Sequence, residues 1–420
     1  MSENICIIEG IYYNRLLPLV YFRPTYDLRC GIFSMREKII HVYPQADITL
    51  HCRGYLADYV KQKNPGFKVN ELSGDSCLFI NGRVIVDEDF SKQIPIKGPD
   101  RLYVHGETIV AARISGNKLN TMKSAMNDVF TISDFAGLLK EEVEARIIDY
   151  PWDIIKYNSE EIINDFKRLT ENVEKKINIE KKDYFHLFSD ENIFIDEGTE
   201  IKPGVVLDAE HGPIYIGKNV KILPNAAIEG PAYVGDDSII KMSSTIYSNT
   251  SIGRVCKVGG EVEDSIIHSF SNKQHVGFLG HSYLGSWVNL GSGTNNSDLK
   301  NNYGSIKVYI NGEPVDSGVQ FVGLTMGDHS KTAINTLFNT GTVVGVSANV
   351  FGGGFPPRYI PSFSWGGSES LTTYDMERSI EVAERVMTRR SVKMSEVDER
   401  LFRKVFDLTA EERRKRGMPN

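Results

Sequence analysis

An apolar residue recurs every six positions between residues 216 and 258, without a slip. A period of six fits neither an α-helix, which has 3.6 residues per turn, nor one β-strand, whose side chains alternate with a period of two. It fits one short strand followed by one turn. Three such units would close a triangular coil of about 18 residues, whose aliphatic side chains stack and fill its interior. The eight positions are Ile216, Ile222, Ile228, Val234, Ile240, Ile246, Ile252 and Val258.

The pattern continues less regularly on both sides of this run. It resumes at Phe278, Leu284 and Leu290 and again from Met326. We therefore predict a left-handed parallel β-helix of hexapeptide repeats over residues 189–356. A polar segment rich in Asn and Gly interrupts it near 295–320, as expected of a loop that leaves one corner of the coil.

The rest of the chain predicts other kinds of structure. Residues 1–115 alternate strand-like and helical stretches, which is typical of an α/β domain. Residues 116–188 predict a helical connector, and residues 357–420 predict a loop and terminal helices. The expected fold class is α/β plus all-β. Two pairs have the spacing of a helix capping box, Ser395 with Asp398 and Thr409 with Glu412.

Composition excludes several classes of partner. The formal charge of −7 gives no reason to expect nucleic acid. No apolar run approaches the ~20 residues of a membrane span, and the N-terminus lacks the basic region of a signal peptide. The five cysteines are scattered and never in CxxC spacing, which favours reduced thiols. We expect a cytoplasmic protein with no membrane or nucleic-acid partner.

Two motifs in the repeat region resemble those of a known family. His275 opens HVGFLG, and Asn289 to Thr294 read NLGSGT. They are similar, in register, to H-x-x-Y-L-G and N-I-G-A-G-T in the acetyltransferase half of the bifunctional bacterial enzymes that acetylate and uridylylate glucosamine 1-phosphate. The resemblance implies that His275 takes the proton of a sugar amine as the amine attacks acetyl-CoA. It also implies that Glu263, 12 residues earlier, orients the imidazole.

The same resemblance implies the other ligand-binding residues. It implies a sugar phosphate or nucleotide sugar as substrate, acetyl-CoA as co-substrate, and a homotrimer. The substrate would contact Phe278, Asn289, Asn302 and Tyr303, and acetyl-CoA would contact Ser292, Ile334 and Gly352.

The N-terminal domain resembles the nucleotidyltransferase half of that family more faintly. The glycine-rich phosphate loop is absent from the sequence, and Arg23, Arg29 and Lys38 are the candidates to bind a nucleotide in its place. Arg83 stands where the family has a metal-binding aspartate, with Asp87 as a substitute. Arginine cannot bind Mg²⁺. We therefore predict no metal site, and Mg²⁺ only if this domain is active.

Two other functions remain open. One is a nucleotide-sugar-binding or regulatory protein without catalysis, which the altered phosphate loop favours. The other is a metal hydratase of the γ-carbonic anhydrase type, which binds zinc through three histidines on a similar β-helix. His275 and His281 are six residues apart and so are expected at equivalent points of adjacent faces, where they do not easily share a metal within one chain, which leaves a site between subunits that involves His329.

Overall fold

The first domain is built on a seven-stranded sheet. The computed structural model describes residues 3–173, 176–177, 179 and 184–419. The order in the sheet is β3-β2-β1-β4-β7-β6-β8, with β5 and β9 forming a separate pair. The strands β1 to β4 are parallel, whereas β7 is antiparallel to both β4 and β6. The nine strands are β1 (Glu3–Ile8), β2 (Ala46–Leu50), β3 (Lys68–Val69), β4 (Ser76–Asn81), β5 (Val84–Ile85), β6 (Arg101–His105), β7 (Thr108–Ser115), β8 (Leu139–Glu142) and β9 (Arg146–Ile147).

Helices cover this sheet and extend the domain beyond its predicted end. They are α1 (Met35–Val42), α2 (Ala57–Lys63), α3 (Phe90–Gln93), α4 (Gly116–Ser124) and α5 (Pro151–Thr170). Short 3₁₀ helices lie at Ile11–Leu16, Thr25–Asp27, Gly54–Leu56, Ile132–Phe135 and, before the β-helix, Asp190–Asn192. The predicted helical connector over 116–188 is wrong in its first part, because β8 pairs with β6 and α4 packs on β7. These segments therefore complete the first domain.

Three parallel walls form the β-helix. Wall 1 consists of Ile193–Ile195, Ile214–Ile216, Ala232–Val234, Thr250–Ile252, Ile266–Ile267, Tyr283–Leu284, Thr325–Met326, Val343–Val344 and Tyr359–Ile360. Wall 2 consists of Glu200–Ile201, Lys221–Ile222, Ile239–Ile240, Lys257–Val258, Asn272–Lys273, Lys331–Thr332, Asn349–Val350 and Ser364–Gly366, with Leu371–Thr373 added antiparallel. Wall 3 consists of His186–Phe188, Val206–Asp208, Ala227–Glu229, Thr245–Ile246, Glu261–Glu263, Phe278–Gly280, Asn295–Asn296 and Leu337–Phe338. The predicted fold class, with its left-handed β-helix, is confirmed.

The interior of the β-helix matches the prediction where the period is strict and departs from it where the coils shorten. All eight predicted positions from 216 to 258 are at most 1% exposed. The next coil is shorter, as the pairing shows: Val258 pairs with Lys273, which is 15 and not 18 positions later. Leu279 therefore fills the interior above Val262, and Phe278 lies half-buried on the outside. The assignment of Phe278 to the repeat core is wrong for this reason.

The insertion leaves the β-helix between wall 3 and wall 1. It contains a hairpin of Lys307–Ile310 and Glu313–Asp316, which packs in a separate apolar cluster with Trp152 and Tyr359. Below it, two asparagine side chains replace the backbone ladder of wall 3. The backbone N–H groups of Phe278 and Gly280 donate to the Oδ1 atoms of Asn295 and Asn296, at 2.8 and 3.1 Å.

Three terminal helices turn back onto the first domain. They are α6 (Met376–Thr388), α7 (Glu396–Leu408) and α8 (Ala410–Lys415). Ser395 forms the predicted capping box at the start of α7. Thr409 does not cap α8, because the carboxylate of Glu412 is used elsewhere, as an acceptor for Tyr21 and for the N–H of Ser362.

The first domain docks directly on wall 1. Ser251 donates to the carbonyl of Gly31 at 2.9 Å, and the N–H of Arg29 donates to the Tyr283 hydroxyl at 3.0 Å. All five cysteines are buried and free. Within the described residues, the helices are too short or too polar to cross a membrane.

Candidate functional site

His275 lies on the edge where wall 2 turns into wall 3, here called the 2–3 edge. It is exposed, and so is Val276 beside it, at 70%. Lys273 points into the β-helix interior and donates to the carbonyls of Gly259 and His275, at 2.8 and 2.7 Å. Burial lowers the pKa of Lys273 to about 8. A buried lysine therefore holds the turn that carries His275. The repeat pattern did not predict it, because that pattern assigns position 273 to no interior slot.

The three residues predicted to contact acetyl-CoA lie on this same edge. The N–H of Gly293 donates to the carbonyl of Val276 at 3.0 Å, which stacks the turn of Ser292 on that of His275. The N–H of Asn335 donates to the carbonyl of Ser292 at 2.7 Å, which adds Ile334 as the next level. The pairing of Thr332 with Val350 places Gly352 one coil further along. Ile334 is 69% exposed, so the edge presents an open apolar surface.

Two predicted substrate residues flank this edge. Asn289 is on wall 2, where its Oδ1 accepts from Asn272 Nδ2 at 3.3 Å, and Arg390 donates to Asn272 in turn. Phe278 begins the strand of wall 3 that follows His275, and its ring is half-buried. Both are therefore neighbours of the His275 turn along the chain and across the coil.

The other two predicted substrate residues lie elsewhere in the chain. Asn302 and Tyr303 are exposed on the insertion, with Tyr303 65% exposed and its carbonyl accepting from Gln320 at 2.9 Å. Since the insertion starts where wall 3 turns into wall 1, here called the 3–1 edge, a full wall separates them from His275. The structure does not bring them to the 2–3 edge of their own chain.

Glu263 also lies at the 3–1 edge. It ends a strand of wall 3, pairs with Gly280, and accepts from the N–H of His281 through its carbonyl at 3.2 Å. Burial and the charge of Asp264 raise the pKa of Glu263. Within one chain it is therefore placed to interact with His281, and the prediction that it orients His275 is wrong because wall 3 lies between them.

His281 forms an ion-pair cluster that the sequence analysis did not assign. Its Nδ1 lies 2.8 Å from Asp298 Oδ2, and its Nε2 lies 3.9 Å from Asp264 Oδ2. Phe321 stacks on the ring at 4.8 Å. Burial alone would lower the pKa of His281. The hydrogen bond to Asp298 and the charges of both aspartates outweigh the effect of burial, so the pKa of His281 is raised. Because Asp298 and Phe321 belong to the two ends of the insertion, this cluster anchors it.

The three histidines considered as zinc ligands lie on three different edges. His275 is on the 2–3 edge, His281 on the 3–1 edge, and His329 on the edge between walls 1 and 2. They cannot converge on one metal within the chain. Over the described ranges, no group of three or more His, Cys, Asp or Glu side chains could hold a metal ion.

Lys38 is enclosed in an ion-pair network. Its Nζ lies 2.6 Å from Asp165 Oδ2 and 2.7 Å from Glu161 Oε2, and all three side chains are at most 1% exposed. Asp165 also accepts from the backbone N–H groups of Ile32 and Phe33. Lys38 therefore joins α1 to α5 and is not accessible to a nucleotide. The prediction that it binds one is wrong.

The side chains of Arg23 and Arg29 belong to the segment between β1 and α1, and both contact the β-helix. Arg23 pairs with Asp328 and donates to Ser286 at 3.0 Å. The guanidinium of Arg29 lies 5.1 Å from the centre of the Tyr233 ring. Both line a cavity between the two domains.

The position after β1 is closed by internal ion pairs. Glu9 follows β1 and pairs with Arg53 at 3.0 Å, and its carbonyl accepts from the N–H of Phe130 at 2.8 Å. Arg83 is 1% exposed and donates to Asp149 and to the carbonyl of Ile148, both at 2.8 Å. Arg83 follows β4, where the family resemblance led us to expect a metal-binding aspartate. A buried guanidinium there does not fit Mg²⁺.

Comparison with known proteins agrees with the division of the chain into a first domain and a β-helix. Residues 5–174 match a family described as sugar nucleotidyl transferase, and residues 213–248 match the bacterial transferase hexapeptide repeat. The first domain is thus similar to sugar nucleotidyl transferases, and the β-helix contains the hexapeptide repeat. The resemblance predicted from the sequence motifs is thus confirmed.

Three relatives of this chain are bifunctional proteins by name. A bifunctional sugar-1-phosphate nucleotidylyltransferase/acetyltransferase of Sulfurisphaera tokodaii is 27% identical over 53% of this chain and 51% of its own. The bifunctional protein GlmU of Acaryochloris marina is 30% identical over 38% of this chain and 30% of its own. That of Bartonella quintana is 22% identical over 76% of this chain and 69% of its own. The chain thus spans about half or less of the first two.

A solved UDP-N-acetylglucosamine acyltransferase of Francisella novicida aligns with 55% of this chain and 86% of its own, at 14% identity. The TM-score of this alignment is 0.21.

Proposed function

We propose that this chain is an acetyl-CoA-dependent acetyltransferase for an amino-sugar phosphate or a nucleotide-linked amino sugar, with its reaction centre on the 2–3 edge. The observation that carries the proposal is the alignment of His275, Ser292 and Ile334 in stacked turns of that edge. The bifunctional relatives support both the acetyl transfer and a sugar phosphate as acceptor.

Acetyl transfer of this kind needs a general base and a groove that binds the two substrates. The amine nitrogen attacks the thioester carbonyl, His275 accepts a proton from that nitrogen, and the CoA thiolate leaves and is protonated. The products are an acetamide and free CoA. A base of this kind contributes about 10² to 10⁴ in rate. His275 is exposed and has its backbone fixed by Lys273, so the imidazole can reach an acceptor from outside the coil.

The donor side of the groove fits an extended acyl carrier. Ile334 offers an exposed apolar side chain, and Ser292 is small. A Cβ placed on Gly352 would meet only one atom, at 4.0 Å, so the path there is open. These residues would hold the pantetheine arm along the edge and its thioester beside His275.

The acceptor side requires a second copy of the chain. Phe278 and Asn289 flank His275 in the same chain, whereas Asn302 and Tyr303 project from the 3–1 edge. Side-by-side packing of three coils would bring the insertion of one copy to the 2–3 edge of the next. We therefore propose a homotrimer that acts in the cytoplasm, where acetyl-CoA is present.

For the first domain we propose nucleotide-sugar binding without nucleotidyl transfer. The Glu9–Arg53 ion pair and the buried Arg83 support it. Uridylyl transfer from UTP to a sugar 1-phosphate, assayed with Mg²⁺, tests this second proposal, and turnover would contradict it.

The first test is release of free CoA from acetyl-CoA with a panel of amino-sugar phosphates and nucleotide-linked amino sugars. A thiol reagent can follow the reaction, because the five cysteines of the chain are buried. His275→Ala should lose at least about a hundredfold in rate. The matched control is His211→Ala, which removes an exposed histidine elsewhere on the β-helix. If no acceptor releases CoA, or if His275→Ala keeps more than about a tenth of the rate, the proposal is wrong.

A further inference from the structure

A cavity of about 400 Å³ lies between the first domain, the β-helix and the terminal helices. The segment from Phe22 to Glu37 and helix α2 form one side of it. The edge between walls 1 and 2, here called the 1–2 edge, forms the opposite side, and α6 and α7 close the end. This volume is within the range of small-molecule sites. The cavity is on a different edge from His275 and is therefore separate from the acetyl-transfer site.

The cavity contains more basic groups than its own acids neutralise. Five arginine and lysine side chains line it. Three of them have carboxylate partners, since Arg23 pairs with Asp328, Arg36 with Asp27 and Lys63 with Asp398. The fourth acid of the lining, Glu37, accepts from the N–H and hydroxyl of Ser34 in a capping box.

Two cations, Arg29 and Arg254, form no ion pair with a carboxylate among the residues that the structure describes, and the nearby charge of Glu37 offsets that of Arg29 only without direct contact. Arg29 lies over the Tyr233 ring, and its Nε is buried without a hydrogen-bond acceptor. Arg254 lies over the Phe270 ring at 5.1 Å and is exposed at the mouth of the cavity. Guanidinium groups with unused donors are the protein groups best suited to bind a phosphate.

An aromatic column lines the cavity between these cations and α7. Phe270 and Trp287 stack with their ring centres 4.3 Å apart, and Trp287 stacks on His329 at 5.9 Å. Each of the three has a left-handed backbone, with φ of +66°, +62° and +61°. Asn219 and Asp237 occupy the equivalent turns in earlier coils, and such small polar residues adopt this conformation at less cost. Val255, in the coil before Phe270, is left-handed too, so the conformation belongs to the turn, and it is the aromatic side chains that distinguish the three turns at the cavity.

One polar atom of the column is also unsatisfied. His329 is 5% exposed, and its Nδ1 has no hydrogen-bond partner. A buried polar group without a partner is costly unless a ligand or water supplies one. The cavity thus has a basic side, an aromatic side and an unsatisfied buried nitrogen.

From this combination we infer that the interdomain cavity is a binding site for a small phosphorylated metabolite. Its phosphate lies against Arg29 and Arg254. Its organic part packs against Trp287 and the apolar side chains of α7. Nucleoside diphosphates and sugar 1-phosphates share this phosphate chemistry. Because both domains line the cavity, an occupant stabilises their docking.

Calorimetric titration of the full chain tests the inference with UDP, glucose 1-phosphate and uridine. Arg254→Gln should weaken binding of the phosphorylated probes at least tenfold, and Arg29→Gln likewise. Arg378→Gln, which alters an exposed arginine at the start of α6 outside the cavity lining, should leave affinity within twofold. Since Arg254 is exposed, its variant should fold even if that of Arg29 does not.

The probes separate the two sources of phosphate. Binding of UDP alone identifies a nucleotide site, and binding of glucose 1-phosphate as well identifies a site for the phosphate with little selection for the base. Uridine binding as tight as UDP overturns the inference, as does equal affinity in the wild type and Arg254→Gln, or no binding of either phosphorylated probe at millimolar concentration. His275→Ala should bind normally, so failure of the acetyl-transfer proposal would be recognised separately.

Tryptophan emission locates the bound probe. The chain has three tryptophans, and only Trp287 lines the cavity. Probe binding should change the emission of the wild type. Trp287→Phe should abolish that change. A change that persists in Trp287→Phe would place the probe elsewhere and overturn the assignment.

Discussion

Replacement of Lys38 by Met should destabilise the first domain by about 3–5 kcal/mol. Methionine keeps most of the side-chain volume but removes the charge that compensates two buried carboxylates. Lys38 Nζ lies within 2.7 Å of oxygens of both Asp165 and Glu161, and all three side chains are at most 1% exposed. Removal of one partner from a buried ion pair costs about this much, because the remaining charge keeps its desolvation penalty.

The loss should depend on pH in a defined direction. Burial raises the pKa of Asp165, and Lys38 opposes that rise. Without Lys38 the folded-state pKa rises further. A carboxyl whose folded pKa is raised favours the folded state at low pH, and this contribution is lost as pH rises through that pKa. Lys38→Met should therefore be closest to wild type in acid and furthest from it near pH 8.

Urea unfolding followed by tryptophan emission measures this effect, since Trp152 is on α5, the helix that carries both carboxylates. With an m-value of about 2 kcal/mol/M, the midpoint should fall by about 1.5–2.5 M. Lys61→Met, at an exposed lysine of α2, should change stability by no more than about 0.5 kcal/mol. Adding Glu161→Gln and Asp165→Asn to Lys38→Met should restore part of the loss. A change below about 1 kcal/mol in Lys38→Met would refute the structural role.

Three further changes test other parts of the structure. Asp328→Asn leaves Arg23 buried without its charge partner and should speed limited proteolysis between the domains at least several-fold; an unchanged cleavage rate would contradict the interdomain pair. The raised pKa of His281 predicts that its pairing with Asp298 contributes fully below the unfolded pKa of about 6.5. That contribution should be lost as pH rises through the folded value, and hydrogen exchange in the insertion should report it, with His281→Gln removing the dependence. Gly277→Ala would place a Cβ 2.1 Å from a carbonyl oxygen at a φ of +122° and should cost more than about 1 kcal/mol; a melting temperature equal to wild type would refute this.

The regular part of the β-helix was predictable because each repeat contacts only its neighbours. Such a fold is a sum of local units, so a strict period in sequence becomes a stack in space. The prediction failed where the coil shortened. Val258 pairs with Lys273. A lysine in an interior position interrupts the six-residue apolar repeat. From there the register shifts, which is why Phe278 was assigned to the interior that Leu279 occupies.

The site was predictable to the extent that it repeats from coil to coil. His275, Ser292 and Ile334 share an edge because motif register and coil spacing both carry over. Glu263 was misplaced because a count of residues along the chain does not show which edge of the coil a residue reaches. Lys38 was misassigned because its partner Asp165 is 127 residues away. No local pattern reports a contact of that separation.

The relation between the two domains gives Arg23 and Arg29 a physical role outside a phosphate loop. Arg23 and Arg29 belong to the segment that corresponds to a phosphate loop, yet the loop position itself is held closed by the Glu9–Arg53 pair. Both arginines instead face the 1–2 edge of the β-helix. There Asp328 pairs with Arg23, whereas Arg29 forms no ion pair and lies over the Tyr233 ring. If the proposed cavity binds the phosphate of a nucleotide sugar, the first domain contributes Arg29 to that site and the β-helix contributes Arg254. The aromatic column belongs to the β-helix, so a ligand that contacts both Arg29 and the column would couple binding to the docking of the two domains.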